Sequence, residues 1–261
     1  MIVFDDGAAY ERYMGRWSQL AGETFLEWLA PPPGARWLDV GCGNGAFTEL
    51  VVERCAPSAV DGVDPSEGQL AYARTRPAAR LAQFRLGDAM ALPFADRTFD
   101  VAVMPLVIFF VPDPARGVAE MARVVSQGGT VTAYGWDMMG GGFPYHALLT
   151  EMRDMGIAVS KPPSPDAAGL EVMRDLWTAA GLEDVRTREI TVRRTFTDFD
   201  DYWTTILGGP SVRRHLEAMG GDDIARLQER LRSLLSIDTD VTGRISCSAR
   251  ANAVQGRVTS G

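Results

Sequence analysis

The apolar residues of this chain fall into short runs separated by stretches with helical spacing. Seven runs predict strands that end near positions 40, 64, 86, 105, 136, 194 and 253. After the fourth run, Val118, Met121, Ala122 and Val125 follow the spacing i, i+3, i+4, i+7, which predicts one buried helix face. Five strand–helix repeats of this kind predict a parallel sheet with right-handed crossovers. The last run alternates at period two, which is typical of an antiparallel strand with one buried face.

Three stretches fall outside this repeat. Residues 1–34 carry apolar residues at helical spacing and end in three prolines. Residues 137–165 are rich in glycine, proline and aromatic residues, and residues 197–238 show two helical apolar faces. We therefore predict one domain over residues 1–261 with a core at 35–136. Because 137–165 leaves the fifth strand at the ligand-binding edge of such a sheet, it is a candidate wall of a pocket.

Glycines mark the end of the first strand. Gly41, Gly43 and Gly45 follow Asp39 and open into a helix, so a ligand can lie against bare backbone there. Alone, this pattern fits a dinucleotide fingerprint or a plain tight turn. Asp64 ends the second strand 23 residues after Gly41, where a carboxylate can bind ribose hydroxyls. The alternative for Asp64 is an acid that only stabilises a helix start.

Two further segments separate these alternatives. Ser66 and Gln69 have the spacing of a capping box, and the third strand ends in the turn Gly87-Asp88-Ala89, which suits an adenine amino group and ring nitrogen. With these segments the chain resembles the class I S-adenosylmethionine-dependent methyltransferases, most closely the small-molecule subgroup of ubiquinone- and menaquinone-biosynthesis enzymes (type 11). The resemblance is strong over 35–136 and weakest after 137. It rests on the segments Asp39-x-Gly41-x-Gly43-x-Gly45, Val63-Asp64-Pro65-Ser66, Gly87-Asp88-Ala89, Phe99-Asp100, Asp113-Pro114 and Gly128-Gly129.

The resemblance implies a Rossmann-like α/β fold. Its seven-stranded sheet is mostly parallel with an antiparallel last strand and helices on both faces. A helical lid precedes the sheet, and a helical insertion at 197–238 precedes the last strand. It also implies S-adenosylmethionine as cofactor, with Arg16 suited to the methionine carboxylate or simply a surface arginine. The cofactor-binding residues would be Arg16, Asp39, Gly41, Gly43, Asp64, Pro65, Gln69, Asp88, Ala89 and Leu106.

Aromatic residues from separate segments frame the predicted acceptor side. They suit a flat or apolar small molecule, although half of them could simply fill the core. The predicted acceptor-binding residues are Tyr13, Trp17, Phe109, Phe110, Trp136, Tyr145, Tyr202 and Trp203.

Methyl transfer by in-line displacement needs mainly position and orientation, so no catalytic residue is assigned. His146 is a better candidate base than His215. The alternatives to a methyltransferase are a binding protein without chemistry and, less favoured, an NAD(P)-dependent oxidoreductase.

Composition narrows the partners. The net charge is −8, and the absence of a Lys/Arg run disfavours a nucleic-acid substrate. The three cysteines are scattered without metal spacing, which favours a reducing compartment and no metal site. We see no membrane-spanning run and no signal peptide, so we expect a cytoplasmic enzyme that acts on a small molecule.

Overall fold

A computed structural model describes residues 11–259 of the chain, and its framework is one seven-stranded sheet. The strand order is β3-β2-β1-β4-β5-β7-β6. Strands β1 to β5 are parallel, and β7 runs antiparallel to both β5 and β6. This confirms the predicted Rossmann-like sheet. The strands are β1 Arg36–Val40, β2 Ala59–Asp64, β3 Ala82–Leu86, β4 Phe99–Pro105, β5 Val125–Trp136, β6 Leu182–Phe196 and β7 Ile245–Val258.

Helices surround this sheet and connect its strands. Their order along the chain is α1 Arg16–Leu29, α2 Ala46–Cys55, α3 Glu67–Ala73, α4 Pro114–Val124, α5 His146–Asp154, α6 Leu170–Ala179, α7 Phe199–Ile206, α8 Pro210–Glu217 and α9 Gly221–Leu235. Over the described residues, no helix is long and apolar enough to cross a lipid bilayer.

The N-terminal segment begins with a π-helical turn, Glu11–Gly15, which continues directly into α1. Helix α1 buries Trp17 and Phe25, and the Phe25 ring stacks on Tyr134 of β5 with centroids 4.6 Å apart. The helix therefore packs on the sheet, as its apolar face predicts. Residues 1–10 of the predicted lid, Tyr10 among them, lie outside the described residues.

The strand order indicates at which edge of the sheet a ligand binds. Strand β1 lies between β2 and β4, so the direction of strand progression reverses there. In open α/β sheets, ligands bind outside the carboxyl ends of the strands at this switch point. Asp39, Asp64 and Leu106 all lie at the carboxyl ends of β1, β2 and β4.

Some boundaries differ from the sequence predictions. The helix expected from Pro165 begins only at Leu170, because turns occupy the residues before it. Gly128, expected to end a helix, lies inside β5 with φ +74°, and the β4–β5 register shifts beside it. The insertion 197–238 holds three helices, α7, α8 and α9, where two apolar faces were expected.

Candidate active site

The glycine turn after β1 is shaped as its sequence predicts. Gly41, Gly43 and Gly45 have φ values of +74°, +52° and +80°, which residues with a side chain rarely adopt. A Cβ atom on Gly41 would lie 2.6 Å from the Val107 side chain. Beside Gly43, the nearest atom to such a Cβ is 4.0 Å away, at Gln69 Oε1. The turn therefore leaves bare backbone open at Gly43.

Asp64 ties this turn to the end of β2. Its Oδ2 accepts a hydrogen bond from Gly43 N at 3.0 Å, and its Oδ1 accepts one from Ser66 N at 2.8 Å. Burial raises the pKa of Asp64, and the two backbone hydrogen bonds oppose that rise. The carboxylate thus organises the loop, and each of its oxygens keeps capacity for a further donor.

The residues after Asp64 complete this corner. Ser66 Oγ accepts a hydrogen bond from Gln69 N at 3.4 Å, which confirms Ser66 as the cap of α3. Gln69 is buried beside Gly43, while Pro65 is exposed at the turn. The predicted cofactor residues of this segment are therefore adjacent to the glycine turn.

Asp39 has an unusual environment. It is 1% exposed, and its Oδ2 accepts a hydrogen bond from Thr48 Oγ1 at 2.6 Å. Its Oδ1 is buried and has no donor within residues 11–259. Burial raises the pKa of Asp39 to about 7, the nearby charge of Asp64 adds to the rise, and the Thr48 hydrogen bonds oppose it. A buried acceptor atom without a donor calls for a ligand or water to complete it.

The remaining predicted cofactor residues lie around this corner at different depths. Asp88 is exposed after β3, and its Oδ1 accepts from Met90 N at 2.8 Å in a turn that also holds Ala89. Leu106 follows β4 with φ +59°, and its N donates to Tyr134 O at 2.7 Å. A left-handed backbone at a leucine is strained and occurs often at functional sites. Arg16 is exposed and bonds Gln19 Oε1 at 3.0 Å.

A clamp that the sequence analysis missed joins the N-terminal turn to the glycine turn. Glu11 Oε2 accepts from Asn44 Nδ2 at 3.2 Å and from Arg76 Nη2 at 2.8 Å. Arg76 also donates to Asn44 O at 2.7 Å and to Glu49 Oε2 at 2.7 Å. The residue types give no spacing signal for this, because the partners are 27 to 65 positions apart.

An apolar cavity of about 90 Å³ adjoins Leu106. Its wall combines the N-terminal turn, the loop after β4, the end of β5, the 137–165 segment and α8. The lining residues are Tyr13, Met14, Leu106, Phe109, Phe110, Trp136, Met138, Phe143, Leu149, Met152, Val159, Ser160, Pro162, Val212 and His215.

Half of the predicted acceptor residues line this cavity, namely Tyr13, Phe109, Phe110 and Trp136. Trp17 and Tyr145 lie behind Tyr13 and are fully buried. Tyr202 packs edge-on against Tyr145 with centroids 6.2 Å apart, and Trp203 stacks on Phe199.

Tyr145 connects two distant segments. Its hydroxyl donates to Tyr13 O at 2.7 Å and accepts from Trp17 Nε1 at 3.2 Å, while its ring stacks on Tyr13 at 4.5 Å. Burial raises the pKa of Tyr145 far above that of a free tyrosine. Tyr145 therefore holds the N-terminal turn against the 137–165 segment.

The two histidines are placed differently. His215 lines the cavity, and its Nε2 lies 2.7 Å from Ala158 O. His146 lies beside Gly141, and its Nε2 is 3.4 Å from Thr150 Oγ1. The sequence analysis favoured His146, although the spacing of Val212, His215 and Leu216 indicated a buried helix face that includes His215.

The corner at β1 and β2 fits a nucleoside cofactor with an amino group. The open backbone at Gly43, the Asp64 carboxylate and the lone Oδ1 of Asp39 supply complementary polar groups. No group of three or more metal-ligating side chains occurs within residues 11–259. The fold is therefore that of an α/β protein whose sheet presents, at its switch point, polar groups suited to a nucleotide-like cofactor.

Comparison with known proteins gives the family. A family model described as a methyltransferase domain matches residues 38–133. The malonyl-[acyl-carrier protein] O-methyltransferase of Methylococcus capsulatus is 31% identical over 243 residues, which cover 91% of this chain and 78% of that protein. The demethylmenaquinone methyltransferase of Symbiobacterium thermophilum is 40% identical over 120 residues, or 44% of this chain and 47% of that protein.

A solved structure shows the same fold. Phosphoethanolamine N-methyltransferase 2 of Haemonchus contortus, in complex with S-adenosyl-L-methionine, aligns with a TM-score of 0.60 and 18% identity. The alignment covers 98% of this chain and 57% of that one. This chain belongs to the S-adenosylmethionine-dependent methyltransferase family. The predicted class of enzyme and its cofactor are thereby confirmed.

Proposed function

We propose that this enzyme methylates a small acceptor whose reactive part is apolar or aromatic, held in the cavity beside Leu106. The observation that carries this proposal is the cavity wall, in which Tyr13, Phe109, Phe110 and Trp136 converge from three separate segments. Ligand sites of this kind combine aromatic walls with few polar groups. The two curated relatives, which act on malonyl-[acyl-carrier protein] and demethylmenaquinone, agree with an acceptor outside the nucleic acids.

We infer from the cavity wall and the cofactor corner which segments of the chain bind the cofactor and which bind the acceptor. Residues 35–136 would hold the cofactor, with Asp64 on the ribose, Asp39 Oδ1 toward the amino group, and Asp88 with Ala89 on the adenine. Residues 1–34 would cover the site as a lid. Residues 137–165 and 197–238 would supply the acceptor side, because both contribute to the cavity wall.

Methyl transfer from this cofactor requires few catalytic side chains. The bound cofactor supplies a methyl group that is already activated by its sulfonium. The chain's task is then to orient the acceptor and exclude water, which can lower the barrier by roughly 7–11 kcal/mol. Leu106 lies at the junction of the two sites and lines the cavity. His215 adds an imidazole to this wall. Because its Nε2 donates to Ala158 O at 2.7 Å, a proton taken from the acceptor would go to Nδ1.

The cavity is small for a drug-sized ligand. Its volume of about 90 Å³ lies below the ~300–1,000 Å³ that ligand pockets usually have. Three side chains in its wall allow the cavity to expand. Phe110, Met138 and Phe143 are only partly buried, so we expect them to move outward when an acceptor enters.

The test is a methyl-transfer assay with labelled S-adenosylmethionine and a panel of hydroquinones, phenols and free or thioester-linked acids. We expect turnover on one class, with Phe110→Ala reducing turnover while calorimetry shows unchanged cofactor affinity. Val172→Ala, which changes an exposed apolar residue on α6, is the control. Turnover restricted to acceptors without an apolar part, or an unchanged Phe110→Ala enzyme, would contradict the proposal.

A further inference from the structure

A second cleft, with a volume of about 640 Å³, opens between the N-terminal turn, the end of β6 and the α7–α8 segment. Its polar character contrasts with the aromatic cavity. Its wall includes three arginines, two threonines and one glutamate, namely Arg16, Arg194, Arg213, Thr204, Thr205 and Glu11.

Within residues 11–259, no carboxylate forms a salt bridge with Arg16, Arg194 or Arg213. The carboxylate of Glu11 already pairs with Arg76 at 2.8 Å. Such a concentration of positive charge is unexpected on a chain whose net charge is −8.

Arg194 gives an independent sign that a partner belongs here. Its Nη1 is buried and has no hydrogen-bond acceptor within the described residues. Its guanidinium stacks over the Phe196 ring, 4.6 Å from the centroid, which fixes the plane of the donors. A buried guanidinium nitrogen without an acceptor is rare, and a ligand with acceptor oxygens completes it.

The combination of donors defines the ligand. Three guanidinium groups and the hydroxyls of Thr204 and Thr205 surround an open space. A carboxylate offers two oxygens and one charge, whereas a phosphate monoester offers three oxygens and roughly 1.5 to 2 negative charges. Arginine matches phosphate with paired hydrogen bonds.

We propose that this cleft is a binding site for a phosphate group, either a phosphate ester on a larger molecule or free phosphate. The lining residues of this cleft and those of the aromatic cavity do not overlap. Tyr13, which lines that cavity, approaches Gly209 so closely that a Cβ there would lie 2.9 Å from the ring. The two sites share structural elements, because Val212 lines the cavity and Arg213 the cleft on the same helix, α8.

The test is to titrate the whole protein with inorganic phosphate at constant ionic strength and to measure binding by phosphorus NMR or calorimetry. We expect saturable binding that weakens about ten-fold or more in Arg194→Gln and in Arg213→Gln, because each removes a charged hydrogen bond. The matched controls are Arg193→Gln and Arg214→Gln, since both arginines neighbour the cleft residues in sequence but lie on other faces. Absence of saturable binding, or equal losses in all four variants, would overturn the proposal.

Two further arms separate this site from the cofactor site and identify the source of the phosphate. Saturation with S-adenosylhomocysteine should leave phosphate affinity unchanged. Competition between them would overturn the proposal and favour the predicted contact between Arg16 and the methionine carboxylate. Glycerol 3-phosphate binding at least as tightly as inorganic phosphate would support an ester on a larger molecule, and weaker binding would support the free ion. A normal S-adenosylhomocysteine titration of Arg194→Gln shows that this variant is folded.

Discussion

The proposed cofactor side and the proposed acceptor side of this enzyme are held together by contacts that span very different distances along the sequence. On the cofactor side, Asp64 bonds Gly43 across 21 positions, and both residues lie at the ends of adjacent strands. On the acceptor side, Tyr145 bonds Tyr13 across 132 positions. The first arrangement follows from strand pairing, whereas the second requires the whole chain to be folded.

The comparison explains why the family match ends where it does. The methyltransferase domain match covers residues 38–133, which include the glycine turn and β4 but neither Tyr13 nor Tyr145. A cofactor common to a family requires the same strand ends in each member. The acceptor differs between members, so its walls come from segments that a fold tolerates as insertions.

The largest expected effect tests whether the cofactor side acts independently. Asp64→Ala removes the acceptor of two backbone hydrogen bonds as well as the proposed ribose contact. We expect S-adenosylmethionine affinity to fall about ten- to hundred-fold, as measured by calorimetry, because hydrogen bonds to a charged group are worth about 1.5–3 kcal/mol.

A matched control for this change lies at the other end of the sheet. Asp100 accepts a hydrogen bond from Arg36 N at 2.8 Å, so it has the same chemistry away from the glycine turn. Asp100→Ala should keep cofactor affinity within two-fold. Equal losses in the two variants would show that the ribose assignment of Asp64 is wrong.

An intermediate effect is expected from breaking the long-range link of the acceptor side. Tyr145→Phe removes the hydroxyl that bonds Tyr13 O and Trp17 Nε1, and the loss of a hydrogen-bond partner at a buried group costs about 1–3 kcal/mol. Urea unfolding should show a loss of that size, and the KM for the acceptor should rise while cofactor affinity holds. Tyr202→Phe, at a second buried tyrosine of the same cluster, should cost less. A cofactor affinity that falls with the acceptor KM would refute the separation of the two sides.

The smallest effect concerns the pH dependence of Asp39. Its pKa is about 7 in the folded protein, so the folded state keeps a proton that the unfolded state releases at ordinary carboxyl values. Stability without ligand should therefore fall as pH rises toward 7 and level off above it. If ionised Asp39 receives the cofactor's amino group, affinity should rise by at most about ten-fold between pH 6 and 8.

Asp39→Asn isolates this contribution, because it removes the titration but keeps the hydrogen-bonding shape. The ratio of wild-type to Asn affinity should increase with pH through 7, and the titration of the cofactor itself cancels in that ratio. The same variant should lose the decline in stability toward pH 7. A ratio that does not change with pH would assign Asp39 a structural role only.

How much the sequence could predict follows from the same difference. Glycines at a strand end and the acid of the next strand are local signals, so the geometry of the glycine turn and its contact with Asp64 could be predicted from the sequence. The strand order could not be predicted from the apolar runs, because they do not indicate at which edge of the sheet β6 pairs. The phosphate cleft depends on that edge, since Arg194 reaches it only once β6 is in place.

The aromatic residues also show what could not be predicted from the sequence. Aromatic character predicted that Tyr13 and Tyr145 both line the acceptor pocket, whereas Tyr13 lines the cavity and Tyr145 is buried and stacks on it. It could not distinguish a lining ring such as Phe110 from a supporting ring such as Tyr202, because that depends on which side of a packed layer faces the cavity. The sequence analysis ranked His146 above His215 as a candidate base, because only the placement of α8, a helix within an insertion, brings His215 to the cavity wall.

The position of β7 has a consequence for how the protein is made. Strand β6 occupies the end of the sheet and pairs with β7, which inserts between β5 and β6. During synthesis, β6 can therefore pair within the sheet only after β7 has left the ribosome. Meanwhile the edge of β5 stays open to wrong pairing, the hazard that exposed strand edges carry. The arginines along β6 are well suited to keep such an early intermediate from associating with other chains.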